Sequence, residues 1–251
     1  MRLHLLGLMG VLGASLSGCL TFSSFQTADT LKPGHGSFFV GAGYQQYSFI
    51  DKSEDEATKE IQTKIEKVKV PMIEYGLRYG LREDLDIGLR TGLFGSWIGD
   101  VKYRLSQTPE TSMAAGAGLS YSNILDIQIV DFSVPFYMSY NLSRTNQLYL
   151  VPRAIFRRTT YDRDYLHGNE VVNSTVAGAT VGIASGDDVQ IFGEISYFGG
   201  PSEVDREGIA QAMIGINFGA DNLDRFEHGD HDQNPKRDEK PAARREKRKG
   251  S

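Results

Sequence analysis

Histidine limits the chemistry open to this chain. There are five in 251 residues: His4, His35, His167, His228 and His231. A hydrolase needs a nucleophile, a base and an orienting carboxylate within reach of one another. His4 lies in an apolar leader, and His228 and His231 lie in a charged tail nearly devoid of apolar residues. His35 and His167 remain, each in a loop-like stretch and neither on a strand facing a serine. His228-Gly-Asp-His231-Asp offers metal-binding residue types but no third fixed ligand. Gly41-Ala42-Gly43 lacks the strand-to-helix setting of a nucleotide site. The residue types therefore point to no catalytic residue, no metal and no cofactor.

What recurs instead is charge on alternating positions within strand-like runs: Glu74, Arg78, Asp86, Arg90, Arg104, Asp131, Arg153 and Glu194. The stretch from Pro71 to Phe94 shows why. Ile73, Tyr75, Leu77 and Tyr79 alternate with Glu74, Gly76, Arg78 and Gly80. After Arg82-Glu83-Asp84 the pattern resumes, with Leu85, Ile87, Leu89, Thr91 and Leu93 against Asp86, Gly88, Arg90, Gly92 and Phe94. A period of two is the signature of a strand, whose successive side chains leave on opposite faces. Two such runs joined by a few charged residues form an antiparallel hairpin. One face is apolar and aromatic; the other holds charges and glycines, as a hairpin between lipid and a crowded polar lumen requires. A soluble lipocalin-like barrel also alternates, with its apolar face inward. The glycines separate the two. Gly76, Gly80, Gly88, Gly92, Gly116 and Gly118 all share the charged face, where exposure to water would weaken the strands without packing benefit. Inside a narrow barrel they make room for Arg78, Arg90, Arg104 and Arg153, opposite Glu74, Asp86, Asp131 and Glu194. Such charges form either a structural ion-pair network or a solute path, and barrels of this size are usually filled by side chains.

Continuing the alternation along the chain yields about ten strands, within a range of eight to twelve: an all-β, antiparallel, up-and-down transmembrane barrel over residues 37–219. The longer connections, at 50–66, 159–170 and 199–207, follow odd-numbered strands. The short ones, at 82–84, 106–111, 141–146 and 185–188, follow even-numbered strands. Short periplasmic turns with longer external loops are the outer-membrane pattern. The charged stretch from Asp51 to Lys67 suits an exposed helical turn or a long hairpin loop. Tyr75, Tyr79, Tyr103, Tyr121, Tyr140 and Tyr197 lie on the apolar face, where interfacial girdles form. No apolar run reaches the roughly 18 residues of a membrane helix, which leaves a strand-built membrane protein open.

Residues 1–18 resemble a bacterial lipoprotein signal peptide. Arg2 precedes an apolar core from Leu5 to Leu16, and Leu16-Ser17-Gly18-Cys19 resembles a lipobox. The resemblance implies that Cys19, the one cysteine in the chain, is lipidated on sulfur and becomes an acylated (palmitate-type) N-terminus. Leu20 stands where inner-membrane-retained lipoproteins resemble one another in carrying aspartate, which implies sorting to the outer membrane. Residues 19–36, rich in Ser, Thr and Gly, read as a lipidated linker. Gln211, Ile216 and Phe218 resemble the insertion signal in the last strand of outer-membrane barrels, although Met213 replaces its glycine and the chain continues. Residues 220–251 read as a disordered, charged periplasmic tail, with a basic end suited to anionic lipid or cell-wall contact.

From the lipobox to the tenth strand, the chain resembles poorly characterised, porin-like outer-membrane β-barrel lipoproteins of Gram-negative-type bacteria. That implies outer-membrane lipids, barrel-insertion machinery and lipoprotein-sorting machinery as partners. A net charge of −5 is too mild to imply nucleic acid. The function expected is a non-enzymatic envelope role, structural or as a narrow channel. The alternatives are a membrane-embedded lipid hydrolase and a lipid-tethered soluble ligand-binding barrel.

Overall fold

Ten alternating runs become ten strands in the computed structural model, which describes residues 22–54, 61–92, 95–124, 127–161, 170–199 and 208–219. They are β1 (Gly36–Glu54), β2 (Ile61–Arg82), β3 (Leu85–Gly92), β4 (Trp97–Gln107), β5 (Thr111–Ile124), β6 (Ile127–Asn141), β7 (Asn146–Tyr161), β8 (Glu170–Ser185), β9 (Val189–Gly199) and β10 (Ile209–Phe218). Each pairs antiparallel with its sequence neighbour. The sheet closes where β1 meets β10 over Phe38↔Phe218 to Tyr47↔Ile209. Closure leaves no sheet edge, the condition for backbone amides to cross hydrocarbon.

The faces follow the alternation. Ile195, Ile214 and Leu119 point outward with 70, 62 and 60 % of their surface exposed, and Leu77, Leu89 and Phe132 do likewise. Glu74, Asp86, Asp131 and Glu194 are buried inside. An apolar exterior around a charged interior inverts a water-soluble barrel and suits lipid. Tyr79, Tyr103 and Tyr140 ring the short-turn end of this exterior. Trp97 pairs with Tyr121 near the opposite end, and Tyr75 stands in the same row through Thr91. Aromatic side chains at both borders are the expected girdles.

The described residues of the charged stretch, 51–54 and 61–67, are strand rather than helical turn. β1 continues to Glu54 and β2 begins at Ile61, in register from Tyr47↔Val68 to Glu54↔Ile61. Here the side-chain polarity reverses: Lys67 and Lys69 are exposed while Val68 and Val70 turn partly inward. Below Pro71 it is Ile73, Tyr75 and Leu77 that face outward. The hairpin has left the apolar zone for water by about residue 70. Its 22-residue second strand far exceeds the roughly 9–11 residues a tilted strand needs to cross a bilayer.

The larger departure concerns residues 22–31. Their composition predicts a linker, yet they lie within the barrel, and each is buried. The segment is neither helix nor strand. Leu31 and Lys32 lie against Gly80 at the short-turn end, and Phe22 packs with Phe198 and Ile209 at the far ends of β9 and β10. It thus runs down the lumen from the far end to the short-turn end, and the chain turns back at residues 32–35 to start β1. Cys19 and the expected signal peptide and tail lie outside the described residues.

Candidate functional site

Inward side chains on several strands converge on this segment. Near its start, Phe22 donates its backbone N–H to Gln211 Oε1 at 2.9 Å, and Thr180 donates its hydroxyl to Phe22 O at 3.2 Å. Arg90 donates to Ser23 O at 2.8 Å, Arg153 donates to Ser24 Oγ at 2.8 Å, and the Ser23 hydroxyl donates to Glu74. The Glu194 carboxylate receives the N–H groups of Ser24 and Phe25 and, at 2.7 Å, the Tyr149 hydroxyl. Further down, Ala28 N–H donates to Ser139 Oγ at 2.8 Å, and Lys102 Nζ donates to Thr27 O at 3.0 Å and Asp29 O at 2.6 Å. Ser112 and Gln147 donate to the Asp29 carboxylate, and Thr30 donates to Glu83 O at the rim. An extended segment without neighbouring strands has no ladder to satisfy its backbone. The wall's polar side chains supply those partners, without which buried amides would be costly.

Phe25 is the central apolar contact. Its ring lies against Phe39 and Phe192, with centroids 5.8 and 6.1 Å away. It covers Gly41 and Gly215, which face each other across the β1–β10 seam. A Cβ at Gly215 would stand 2.8 Å from the ring, and one at Gly41 would overlap it. Phe25 has φ +42°, a left-handed backbone that an aromatic residue adopts only where its surroundings hold it. Here two N–H···carboxylate bonds and a fitted ring site hold it. Beside the segment, a cavity lined by Phe25, Asp29, Phe39, Arg78 and Lys102 has room for only about 20 Å³, on the order of one water molecule.

The ion pairs expected from alternation form only in part. Arg78 joins Asp86, as the spacing suggests, and also Asp100. Gly88 gives the Arg78 guanidinium its place, because a Cβ there would lie 2.5 Å from Nη2. Lys102 approaches Asp86 at 3.4 Å, and Arg90 approaches Asp100 at 3.8 Å. Asp131 pairs with Arg157 through two 3.0 Å bonds. Arg153, Glu74 and Glu194 serve the segment instead. Arg104 keeps the inward parity of Lys102 and pairs with the buried Ala114, half-buried beside the short turns and just before the β4–β5 register shifts between Arg104 and Ser106. Lys102 is the buried cation of β4.

Lys102, Asp100, Tyr149, Gln211 and Asp29 are the site residues that charge spacing alone passes over. Lys102 and Asp100 share the polar face of β4 and were visible there. The segment itself carried a fainter signal: Phe22, Phe25, Ala28 and Leu31 recur every third residue, a period of extended polyproline-like chain and of neither helix nor strand. His35 lies exposed near the short turns, its Nδ1 3.3 Å from Pro33 O; the other histidines fall outside the described residues. Among the described residues, no group of three or more His, Cys, Asp or Glu side chains is placed to hold a metal.

No protein-family model and no curated protein sequence matches the chain. Among solved structures it is similar to the attachment invasion locus protein Ail of Yersinia pestis, at 15 % identity over 73 % of this chain and 99 % of that one, with a TM-score of 0.32. It is similar to Neisserial surface protein A at 14 % identity over 73 % and 98 %, TM-score 0.35. The outer membrane protease OmpT of Escherichia coli aligns at 10 % identity over 80 % and 99 %, TM-score 0.43. Identities and scores this low carry no site and no activity to this chain. What the chain's own fold and lumen define is a closed ten-stranded barrel, apolar outside and filled inside by its own N-terminal segment.

Proposed function

We propose that this protein is a lipid-anchored, outer-membrane β-barrel with a non-catalytic, structural envelope role, and that its lumen is closed rather than conducting. The observation that carries this reading is the buried run from Phe22 to Leu31, held by the same Arg, Glu and Lys side chains that would otherwise line a solute path. A charged lumen around an empty bore would favour transport; a charged lumen spent on backbone groups of an internal segment favours bracing. The apolar exterior and its aromatic borders support residence in a bilayer, with the short turns toward the periplasm. The lipobox-like Leu16-Ser17-Gly18-Cys19 supports an acyl anchor on Cys19. Lipids of the outer membrane and the insertion and sorting machinery follow as partners, and the basic end of the tail suits anionic lipid or cell-wall contact. A hydrolase finds little support, since the one described histidine, His35, lies outside the lumen at the short-turn rim.

The test is conductance. Full-length protein reconstituted in planar bilayers is expected to give a flat trace at moderate voltage, whereas a variant lacking residues 22–31 passes current. Stepwise conductance from the intact protein would return the lumen to the channel reading. Palmitate incorporation that disappears in Cys19→Ala tests the anchor separately.

A further inference from the structure

The direction in which the segment occupies the lumen decides where the amino terminus emerges. From Leu31 at the short-turn end, the chain traced backwards rises through Asp29 and Phe25 to Phe22. There it meets Phe198, next to the last residue of β9, and Ile209, the first residue of β10. Val70, at the level where the β1–β2 hairpin reverses polarity and enters water, packs against the same cluster. Phe22 therefore stands at the water boundary of the loop-bearing end. It also stands where the described wall is lower than on either side: β1 continues past its last β10 partner, Tyr47↔Ile209, to Glu54, and β8 extends beyond Ala177↔Gly199 back to Glu170.

We infer that the chain enters its own barrel through the loop-bearing mouth, and that Cys19 reaches the outer leaflet over the low rim formed by β9 and β10. Only Leu20 and Thr21 stand between Phe22 and Cys19, a reach of at most about 10 Å in extended chain. The opposite leaflet lies across an apolar band roughly 25 Å tall. The route back down is taken by the segment itself, every residue of which from Phe22 to Leu31 is buried in the lumen. A lipid on Cys19 consequently meets the membrane on the side of the loops, opposite the short turns where β1 begins. The lipid part of this inference rests on the anchor proposed above; the entry direction rests on geometry alone.

Protease accessibility on whole cells tests it. A recognition site for an added protease is placed between Leu20 and Thr21 in the full chain, with control sites within residues 162–169 and between Ser143 and Arg144. The N-terminal site is expected to be cut in intact cells, as the 162–169 site is, while the Ser143–Arg144 site is cut only after the outer membrane is permeabilised. An N-terminal site cut only after permeabilisation overturns the inference. Heat-dependent gel mobility confirms that each variant folds. Should the inserted site resist cleavage in both states, Thr21→Lys decides: a membrane-impermeant amine reagent labels the peptide containing residue 21 in intact cells if the inference holds, and only in permeabilised cells if it fails. Palmitate labelling of the same cells reads the anchor independently. Loss of that label alone removes the lipid and leaves the entry direction standing.

Discussion

At the scale of single residues, Phe25 and Arg78 show how the lumen is held. Phe25 combines a φ of +42° with a ring seated over Gly41 and Gly215, so its side chain contributes the contacts that keep an unfavourable backbone in place. Phe25→Ala is expected to cost about 3 kcal/mol of segment docking, in line with buried aromatic truncations. Because about 1.4 kcal/mol is a factor of ten, hydrogen-exchange protection of the Ser24 and Phe25 amides should fall roughly a hundredfold while that of β9 stays. Equal protection in the variant would mean that the ring does not hold the segment. Arg78 lies between Asp86 and Asp100, all three nearly or fully buried. Arg78→Leu removes the arginine that Asp86 and Asp100 share, leaving them only the longer contacts to Lys102 and Arg90, and should lower stability by about 3 kcal/mol, read as the urea midpoint of the refolded protein. Adding Asp86→Leu and Asp100→Leu should not restore the loss, because buried Lys102 and Arg90 then lose their carboxylate partners.

Among the elements, the β1–β2 hairpin and the Phe22–Leu31 segment divide the labour. The hairpin above Tyr47↔Val68 makes no pairing with β10, whose ladder with β1 ends at Tyr47↔Ile209. Replacing residues 48–67 by Asn-Gly, a two-residue type I′ connection, should leave closure intact. Unboiled protein is expected to keep its anomalous gel migration, and loss of that behaviour would show that the extension nucleates the barrel. The segment adds something different. It lies across the lumen from the short turns to the ends of β9 and β10 and bonds to side chains of β2, β3, β4, β5, β6, β7, β8, β9 and β10. Its contacts cross the barrel where strand pairing acts only between neighbours, so it braces the cylinder against collapse of its cross-section.

For the molecule as a whole, the decisive property is which side of the wall meets water. Leu119, near the middle of β5, faces outward with 60 % exposure. In lipid vesicles, Leu119→Arg should cost about 2–4 kcal/mol, the depth-dependent penalty for arginine on a lipid face. A soluble tethered barrel would register almost nothing for an exposed leucine, so an unchanged urea midpoint would favour that architecture.

Much of this was legible before any coordinates. Alternation is local: a strand's neighbours in sequence sit on opposite faces, so a count of about ten strands and the facing of clear runs such as Ile73 to Tyr79 and Val189 to Tyr197 could be read from the sequence. The end of the β1–β2 hairpin was misread because charge reads as loop when the face reversal between Lys69 and Pro71 goes unnoticed. Lumen charges were identifiable as inward, but not their partners. Which inward groups meet depends on the cross-strand register, on closure, and on what else is inside, and none of these is encoded within one strand. Residues 22–31 illustrate the limit most plainly. Their serines and threonines are those of a solvated linker, and only closure of β1 on β10 encloses them, turning Glu194, Arg153, Arg90 and Lys102 from candidate lining of a path into hydrogen-bond partners of a backbone.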